Sequence, residues 1–323
     1  MPARNAERTL ADALASIRAQ TVAVAEIVVV DDGSSDATAA IARAAGATVV
    51  EGPRMGPGAA RNAGIRAAAQ PWIAFLDADD RWDPEKTARQ LAALNAVPEV
   101  GFSATDVRAA RDGKPVRASW FAAEPAYRRV ARGALPGGAV LAARGGLLEA
   151  LGRNNFLVTS SVMVRRELVA AGVFFDETLL QTPDCFVPED WEWYLRVLGQ
   201  TDAVIVEAPL VEYRLSAASL SADGPRLSCG AIELARLVRE GGGRYPPAAV
   251  DAFAAAQAQR LATAGTIFAR ALDFTRARDA FGGSLRASFS PKTALLLATA
   301  TALDNPAGRR LAGAVRSLWR ARA

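Results

Sequence analysis

The 323-residue chain contains no histidine. That absence removes Ser-His-Asp and Cys-His catalysis, His-ligated zinc and any imidazole base. Acid–base chemistry must therefore fall to Asp, Glu, Tyr, Cys, Lys or a terminus. Cysteine occurs only at Cys185 and Cys229, with no C-x-x-C pair, too little for a disulfide framework and in keeping with a reducing compartment. Lysine is nearly missing: Lys86, Lys114 and Lys292 stand against 35 arginines. With so much alanine, this reads as the coding bias of a GC-rich genome. Long apolar runs are also absent. Thr293 to Leu303 is the longest near the end at 11 residues, where a spanning helix needs about 20. Met1 to Leu10 carries charges and no apolar core, unlike a signal peptide. The expected location is cytoplasmic, peripheral on the inner face of the plasma membrane at most.

What is present suits a globular protein with a large core: 51% hydrophobic and 22% charged residues, in about two domains by length. The net charge of +4 conceals an asymmetry, because fifteen basic and six acidic residues lie from Pro225 onward. The front of the chain is therefore acidic and the tail basic. The patterns agree with a boundary there: residues 1–224 read as an α/β domain and 225–323 as a basic helical region.

Within the first part, apolar runs alternate with helical periodicity. Leu10, Leu14 and Ile17 mark a helix over Ala6–Gln20. Continuous apolar runs at Glu26–Val30, Ala47–Glu51, Pro71–Leu76 and Val100–Ala104 predict buried strands. Helices are predicted at Ala37–Ala45, Ala59–Ala69 and from Pro84 to Asn95, the last with Asp83 as cap and Pro84 at its first position. This alternation implies a mostly parallel sheet flanked by helices. Residues 106–155, rich in Gly, Pro and Arg, read as a long functional loop. Order resumes with a strand at Leu157–Val164, helices at Arg165–Ala171 and Pro188–Leu198, and strands at Ala203–Val206 and Leu210–Leu215. Beyond Ser228 the pattern is all helical, with a hairpin expected over Ala249–Leu272 and Thr275–Ala287.

Carboxylates gather at predicted strand ends: Asp31 and Asp32 after one, Asp77, Asp79 and Asp80 after another. In an open sheet that edge is where ligands bind. A D-x-D pair there suits a hard divalent cation that keeps water and meets substrate phosphates. Helix capping explains Asp36 and Asp83 but not Asp77 with Asp79.

Four motifs, Val28 to Asp36 (VVVDDGSSD), Gly56 to Gly64 (GPGAARNAG), Ala74 to Asp80 (AFLDADD) and Pro188 to Trp193 (PEDWEW), resemble family 2 glycosyltransferases in order and spacing. The resemblance covers residues 2–221. It implies a GT-A-type fold and inverting, metal-dependent transfer from a nucleotide diphosphate sugar, UDP-linked, to a saccharide or lipid-linked acceptor in bacterial cell-envelope assembly. By the same resemblance, Asp32 would bind the base and Asp77 the ribose. Pro2, Arg4, Arg61 and Asn62 would shape the nucleotide pocket, and Arg214 would meet the pyrophosphate. Asp79 would hold Mg²⁺ or Mn²⁺, and Asp190 would be the catalytic base, with Glu189, Trp191 and Trp193 on the acceptor side. Trp191 and Trp193 read equally as core residues. A Gln-x-x-Arg-Trp motif is absent, which favours single transfer over processive synthesis.

Other readings fit less well. A sugar nucleotidyltransferase would want a basic Gly-rich first loop where Asp31–Asp36 is acidic, and Gly56–Arg61 breaks G-x-G-x-x-G at its third glycine. A degenerate, ligand-binding or scaffolding relative would not need Asp32, Asp77, Asp79 and Asp190 together. The basic tail lacks a groove-reading motif for nucleic acid and is expected to meet an anionic membrane surface.

One departure stands out. The family opens with an apolar strand of about six residues ahead of a Pro-x-x-Asn turn. Here Pro2-Ala3-Arg4-Asn5 is the turn, and the first central strand is missing. It would lie between Glu26–Val30 and Pro71–Leu76, where each buried unpaired backbone group costs about 1–3 kcal/mol. The expectation is that Met1 is not the natural start, and that the upstream frame encodes a short Val- and Ile-rich segment.

Overall fold

The structure, a computed structural model, describes all residues except 131, 171, 180, 217–222 and 321–323, and the side chains of 315–320. The chain forms two compact units. One comprises Met1–Leu179, Glu189–Ser219 and Gly243–Ala249; the other comprises Leu180–Pro188, Leu220–Gly242 and Val250–Ala323. The division is thus not a single cut near residue 224, since short segments on either side group with the other unit.

The first unit begins with β1 (Pro2–Ala3), α1 (Leu10–Arg18), β2 (Val28–Asp31), α2 (Thr38–Ala44), β3 (Thr48–Glu51), α3 (Pro57–Ala67) and β4 (Trp72–Ala74). It continues with β5 (Arg81–Trp82), α4 (Lys86–Asn95), β6 (Phe102–Arg111), β7 (Lys114–Arg117), β8 (Arg132–Leu135), β9 (Ala139–Ala142), α5 (Arg144–Arg153), β10 (Met163–Arg165), α6 (Arg166–Ala170), α7 (Glu189–Val197) and β11 (Ala203–Leu215). Strands β1–β2–β3 form a parallel sheet. A second sheet runs β4–β10–β6–β11–β9–β8, with β5 on β11 and β7 on β6. Its long central pair, β6 and β11, is parallel, and the other pairings are antiparallel. Helix α1 buries Leu10, Leu14 and Ile17 as their spacing requires.

Residues 106–155 are not a long loop. They continue β6, turn back as β7, and contribute β8, β9 and α5. Their Ala, Gly and Arg composition hides these strands, because the ladder is made by backbone groups that leave no apolar alternation in the sequence. The two strands expected at 203–206 and 210–215 are one strand, whose register on β6 shifts on both sides of Pro209. A bulge is how a strand absorbs a proline that cannot donate to the ladder. The strand expected at Leu157–Val164 is instead a 3₁₀ turn, Thr159–Ser161, followed by β10.

The N-terminal strand is short. β1 keeps only two residues: Val30 N–H donates to Met1 O at 2.8 Å and Asp32 N–H to Ala3 O at 2.9 Å. β1 ends one sheet and β4 ends the other. Between them lies a cavity of about 260 Å³ lined by Val24, Ile27, Ile65, Trp72, Phe75 and Leu91 among others.

The second unit is helical: α8 (Gly224–Glu240), α10 (Gln257–Arg270), α11 (Phe274–Ala287), α12 (Pro291–Leu303) and α13 (Pro306–Arg320), with α9 (Pro247–Ala255) crossing the division. The expected first arm of the hairpin is two helices that break at Ala256. α10 and α11 pack through Ala264, Phe268, Phe274, Ala277 and Phe281. A Cβ at Gly265 would lie 2.7 Å from the Phe281 ring, so only glycine lets the two helices approach this closely.

One core residue of the first unit is chemically unusual. Lys86 is fully buried at the start of α4. Its Nζ donates to Gln90 Oε1 at 2.7 Å and sits 4.3 Å from the Trp82 ring centroid. Burial pushes its pKa down to about 7. The unfolded chain therefore binds a proton that the folded chain releases between about pH 7 and 10, so this residue makes stability rise with pH over that range. Lys86→Met should abolish this dependence. In urea unfolding, the stability difference between the native protein and the variant should change by about 2 kcal/mol between pH 7 and pH 9, with the native protein gaining at the higher pH.

Candidate active site

The site forms where β2, β4 and α7 bring their ends together with the start of α3. The Gly/Pro loop before α3 closes on Asp32, which is almost fully buried. Its Oδ1 accepts from Arg54 N–H at 2.6 Å and its Oδ2 from Gly56 N–H at 3.0 Å. Gly56 has φ 94°, a left-handed conformation that glycine alone adopts cheaply. Each Asp32 oxygen keeps a second lone pair, so the residue braces the loop and can still meet a ligand. Asn5 laces the first turn to the next one: its Oδ1 accepts from Ser35 N–H at 2.9 Å, and its N–H donates to Ser34 Oγ at 3.0 Å. Pro2 is half-buried in β1, and Arg4 is exposed beside it.

Arg61 stands at the centre. It projects from α3, with Nη1 donating to Glu189 Oε1 at 2.6 Å and Nη2 to Asp77 Oδ1 at 2.8 Å. Its carbon stands 5.5 Å from the Phe175 ring centroid. Its Nε is buried without a hydrogen-bond partner. Burial pulls the guanidinium pKa down, but Asp77 and Glu189 outweigh this and hold it above its ordinary value. Asn62, next in α3, faces away: its Nδ2 donates to Phe175 O at 2.9 Å and its Oδ1 accepts from Phe175 N–H at 2.8 Å. It fastens the segment before α7 and does not open onto the space beside Arg61.

After β4 the chain makes the Asp77-Ala78-Asp79-Asp80 turn. Asp79 is half-buried, and burial followed by the neighbouring Asp77 pushes its carboxyl up to about 6. Asp80 is fully buried. It accepts from Ser160 Oγ at 2.6 Å and from Arg214 N–H at 3.0 Å, and burial with the charges of Asp79 and Asp77 raises its pKa strongly. Arg214 also turns its side chain inward. Its Nε donates to Asp79 O and its Nη1 to Asp12 Oδ2 at 3.1 Å. Residues 217–222, where a loop over the donor is expected, lie outside the described residues.

Asp190 lies in the first turn of α7. Its Oδ1 accepts from Trp191 N–H at 2.6 Å and its Oδ2 from Thr159 Oγ1 at 3.4 Å. Burial, then Glu189, pushes its carboxyl up to about 7, with Arg61 opposing. The acceptor-side role for the neighbouring aromatics does not hold. Trp193 is fully buried, stacked 4.5 Å from Phe175, with Nε1 donating to Val173 O. Trp191 is 5% exposed and donates from Nε1 to Leu151 O. Both fill the core on different sides of α7, and Glu189 is paired with Arg61. Sequence reasoning overlooked Thr159, Ser160 and Tyr194; the only trace of them was three consecutive hydroxyl residues inside an apolar stretch.

Taken together, the structure offers an acidic turn, a fixed arginine charge and one carboxyl poised near neutrality. Among the described residues no three acidic or cysteine side chains cluster tightly enough to hold a metal alone.

Comparison with known proteins follows the same lines. Residues 1–139 match the model described as glycosyl transferase family 2. The succinoglycan biosynthesis protein ExoO of Rhizobium meliloti is 38% identical over 125 residues, 36% of this chain and 34% of its own. ExoU from the same organism is 44% identical over 96 residues, 28% of each. The chain thus spans about a third or less of the length of these curated relatives. Among solved structures, S. aureus TarS 1-349 in complex with UDP-GlcNAc has a TM-score of 0.59 at 17% identity, covering 98% of this chain and 90% of that one. The mannosyltransferase PcManGT from Pyrobaculum calidifontis, in complex with GDP-Man and Mn²⁺, has a TM-score of 0.58 at 19% identity, covering 99% and 86%. At these identities the structural likeness concerns the fold, which is the GT-A type. Over residues 1–139 the chain is similar to glycosyl transferase family 2.

Proposed function

We propose that the protein transfers a sugar from a nucleotide diphosphate sugar, UDP-linked, to an acceptor hydroxyl with inversion, one residue per encounter, in the assembly of a cell-envelope polysaccharide or glycolipid. The observation that carries this reading is Asp190, held near neutrality by burial and Glu189 in a site whose other side is the Asp77–Asp80 turn. Relatives named for succinoglycan biosynthesis motivate the polysaccharide class.

Inverting transfer is one displacement at the anomeric carbon. Asp190 takes the proton from the acceptor hydroxyl, the oxygen attacks, and the nucleotide diphosphate leaves on the opposite side. No covalent nucleophile is needed, so the lack of histidine removes nothing. Asp32 receives the base, Asp77 the ribose, and the Nη1 and Nη2 bonds of Arg61 keep Asp77 and Glu189 in place. Asp79 is the residue for a divalent cation. Its carboxylate, with the like charge of Asp77 beside it, would suit Mg²⁺ or Mn²⁺. When bound, such an ion neutralises the charge that develops on the leaving group.

Asp190→Asn should lower kcat by about 10²–10⁴ while nucleotide affinity stays near native. In the native enzyme kcat should rise with pH through about 7 as Asp190 loses its proton. Because the folded state holds this proton more tightly than the unfolded state, Asp190 also makes stability fall as pH rises from about 4 to 7. The Asn variant should therefore be no less stable than native at pH 8 in urea unfolding. Equal losses of nucleotide affinity and turnover would instead make Asp190 structural.

Asp79→Ala should abolish metal-dependent release of nucleotide diphosphate, and EDTA should do the same to the native protein. Unchanged turnover in EDTA would remove the cation from the mechanism.

The basic helical region is proposed to dock on an anionic membrane. Phe289, Leu295 and Leu311 are 76%, 70% and 63% exposed, with Lys292, Arg309 and Arg310 in the same helices or beside them. Arg309 is also paired with Asp304. The side chains of Val315, Arg316, Leu318, Trp319 and Arg320, and all of Arg322, lie outside the described residues. No helix among the described residues is long and apolar enough to cross a membrane. Each basic group near such a surface contributes about 1 kcal/mol, weakened by salt. Flotation with anionic liposomes should show binding at low salt that fades at high salt; no binding at low salt would end the idea.

A further inference from the structure

The turn between α5 and β10 makes two sets of contacts that the mechanism above leaves unused. Thr159, Ser160 and Ser161 form a 3₁₀ turn, and all three are buried. Ser160 Oγ accepts from Asp77 N–H at 3.0 Å and donates to Asp80 Oδ2 at 2.6 Å, which closes the acidic turn from both ends. Thr159 Oγ1 donates to Asp190 Oδ2 at 3.4 Å and accepts from Tyr194 Oη–H at 3.1 Å. The turn is itself held: Trp82 Nε1 donates to Ser160 O at 2.8 Å, and Gln90 Nε2 to Ser161 O at 3.0 Å.

Two adjacent hydroxyls therefore reach in different directions, one to the donor-side turn and one to the candidate base. We infer that this turn is the positioning element of the site: Ser160 sets the Asp77–Asp80 turn that receives the nucleotide, and Thr159 sets the Asp190 carboxylate that faces the acceptor. A buried hydroxyl with both a donor and an acceptor partner has one low-energy orientation, and it passes that orientation to the groups it bonds. A site accurate to a fraction of an ångström needs such support from behind. The inference rests on the reading of donor and base given above and adds the residues that hold them in register.

The two hydroxyls predict separable effects. Ser160→Ala leaves the Asp77 amide without its acceptor. Affinity for UDP in the presence of Mn²⁺, read by titration calorimetry, should weaken about tenfold, and hydrogen exchange at the Asp77 amide should accelerate. Thr159→Val keeps shape and removes one donor from Asp190. The groups facing Asp190 are Glu189 and Tyr194 on its own helix, Arg61 on α3 and Asp77 after β4. In this variant Tyr194 loses its acceptor, while the charged groups are unchanged. The Asp190 titration, followed by carboxyl ¹³C NMR and assigned with Asp190→Asn, should therefore move upward by about one unit with UDP affinity unchanged. Thr159→Ser should restore it.

This crossed pattern supports the inference. If either variant moves both readouts, or neither moves its own, the turn is only a structural support and the inference falls. If Ser160→Ala does not fold, Asp80→Asn opens the same clamp from the other end and takes its place. Failure of the native protein to bind UDP with Mn²⁺ would count against the donor reading alone, because amide exchange and the Asp190 titration report on the turn without any nucleotide.

Discussion

Arg61 carries a permanent charge in a place where burial disfavours charge, and the site is organised around answering it. Two carboxylates from distant parts of the chain, Asp77 after β4 and Glu189 at the start of α7, take its two terminal nitrogens. Removing one partner of a buried pair leaves the other uncompensated, at a cost of about 3–5 kcal/mol. The pair therefore couples the donor-side turn to the helix that carries Asp190. Lysine could not do this: a point charge has no planar fork to reach two carboxylates at once. Arginine is abundant in this chain, and at this position the geometry requires it.

The same electrostatics prepares the chemistry. Because Glu189 is committed to Arg61, its negative charge stays beside Asp190 and helps lift that carboxyl towards neutrality. Asp77, committed to the same arginine, does likewise for Asp79. Two acids paired with one guanidinium thus raise their neighbours. A carboxyl near 7 can accept a proton at physiological pH and still hold it well enough to pull it from a hydroxyl.

The sheet architecture sets where these groups meet. The acidic turn follows β4, the edge strand of the second sheet, whose residues line the cavity together with Arg61. Asp80 and Arg214 extend the set: the backbone N–H of Arg214, in β11, donates to Asp80 and so ties the long strand to the same turn.

Sequence by itself determined the local events: α1 from its apolar spacing, the buried Val29 and Val30 of β2, the Gly/Pro loop before α3, and the carboxylates at the ends of β2 and β4. Each depends on residues close in the chain, where periodicity and turn chemistry act directly. Tertiary structure decided what depends on partners far away. The strands within 106–155 pair through backbone groups that leave no side-chain signature. Trp191 and Trp193 fill the core because α7 is buried on both of the sides they occupy. Arg61 bridges residues 16 and 128 positions away, and Thr159 and Ser160 acquire their partners only when three segments converge. A hydroxyl's role is set by the groups it can reach, and no spacing along the chain encodes that reach.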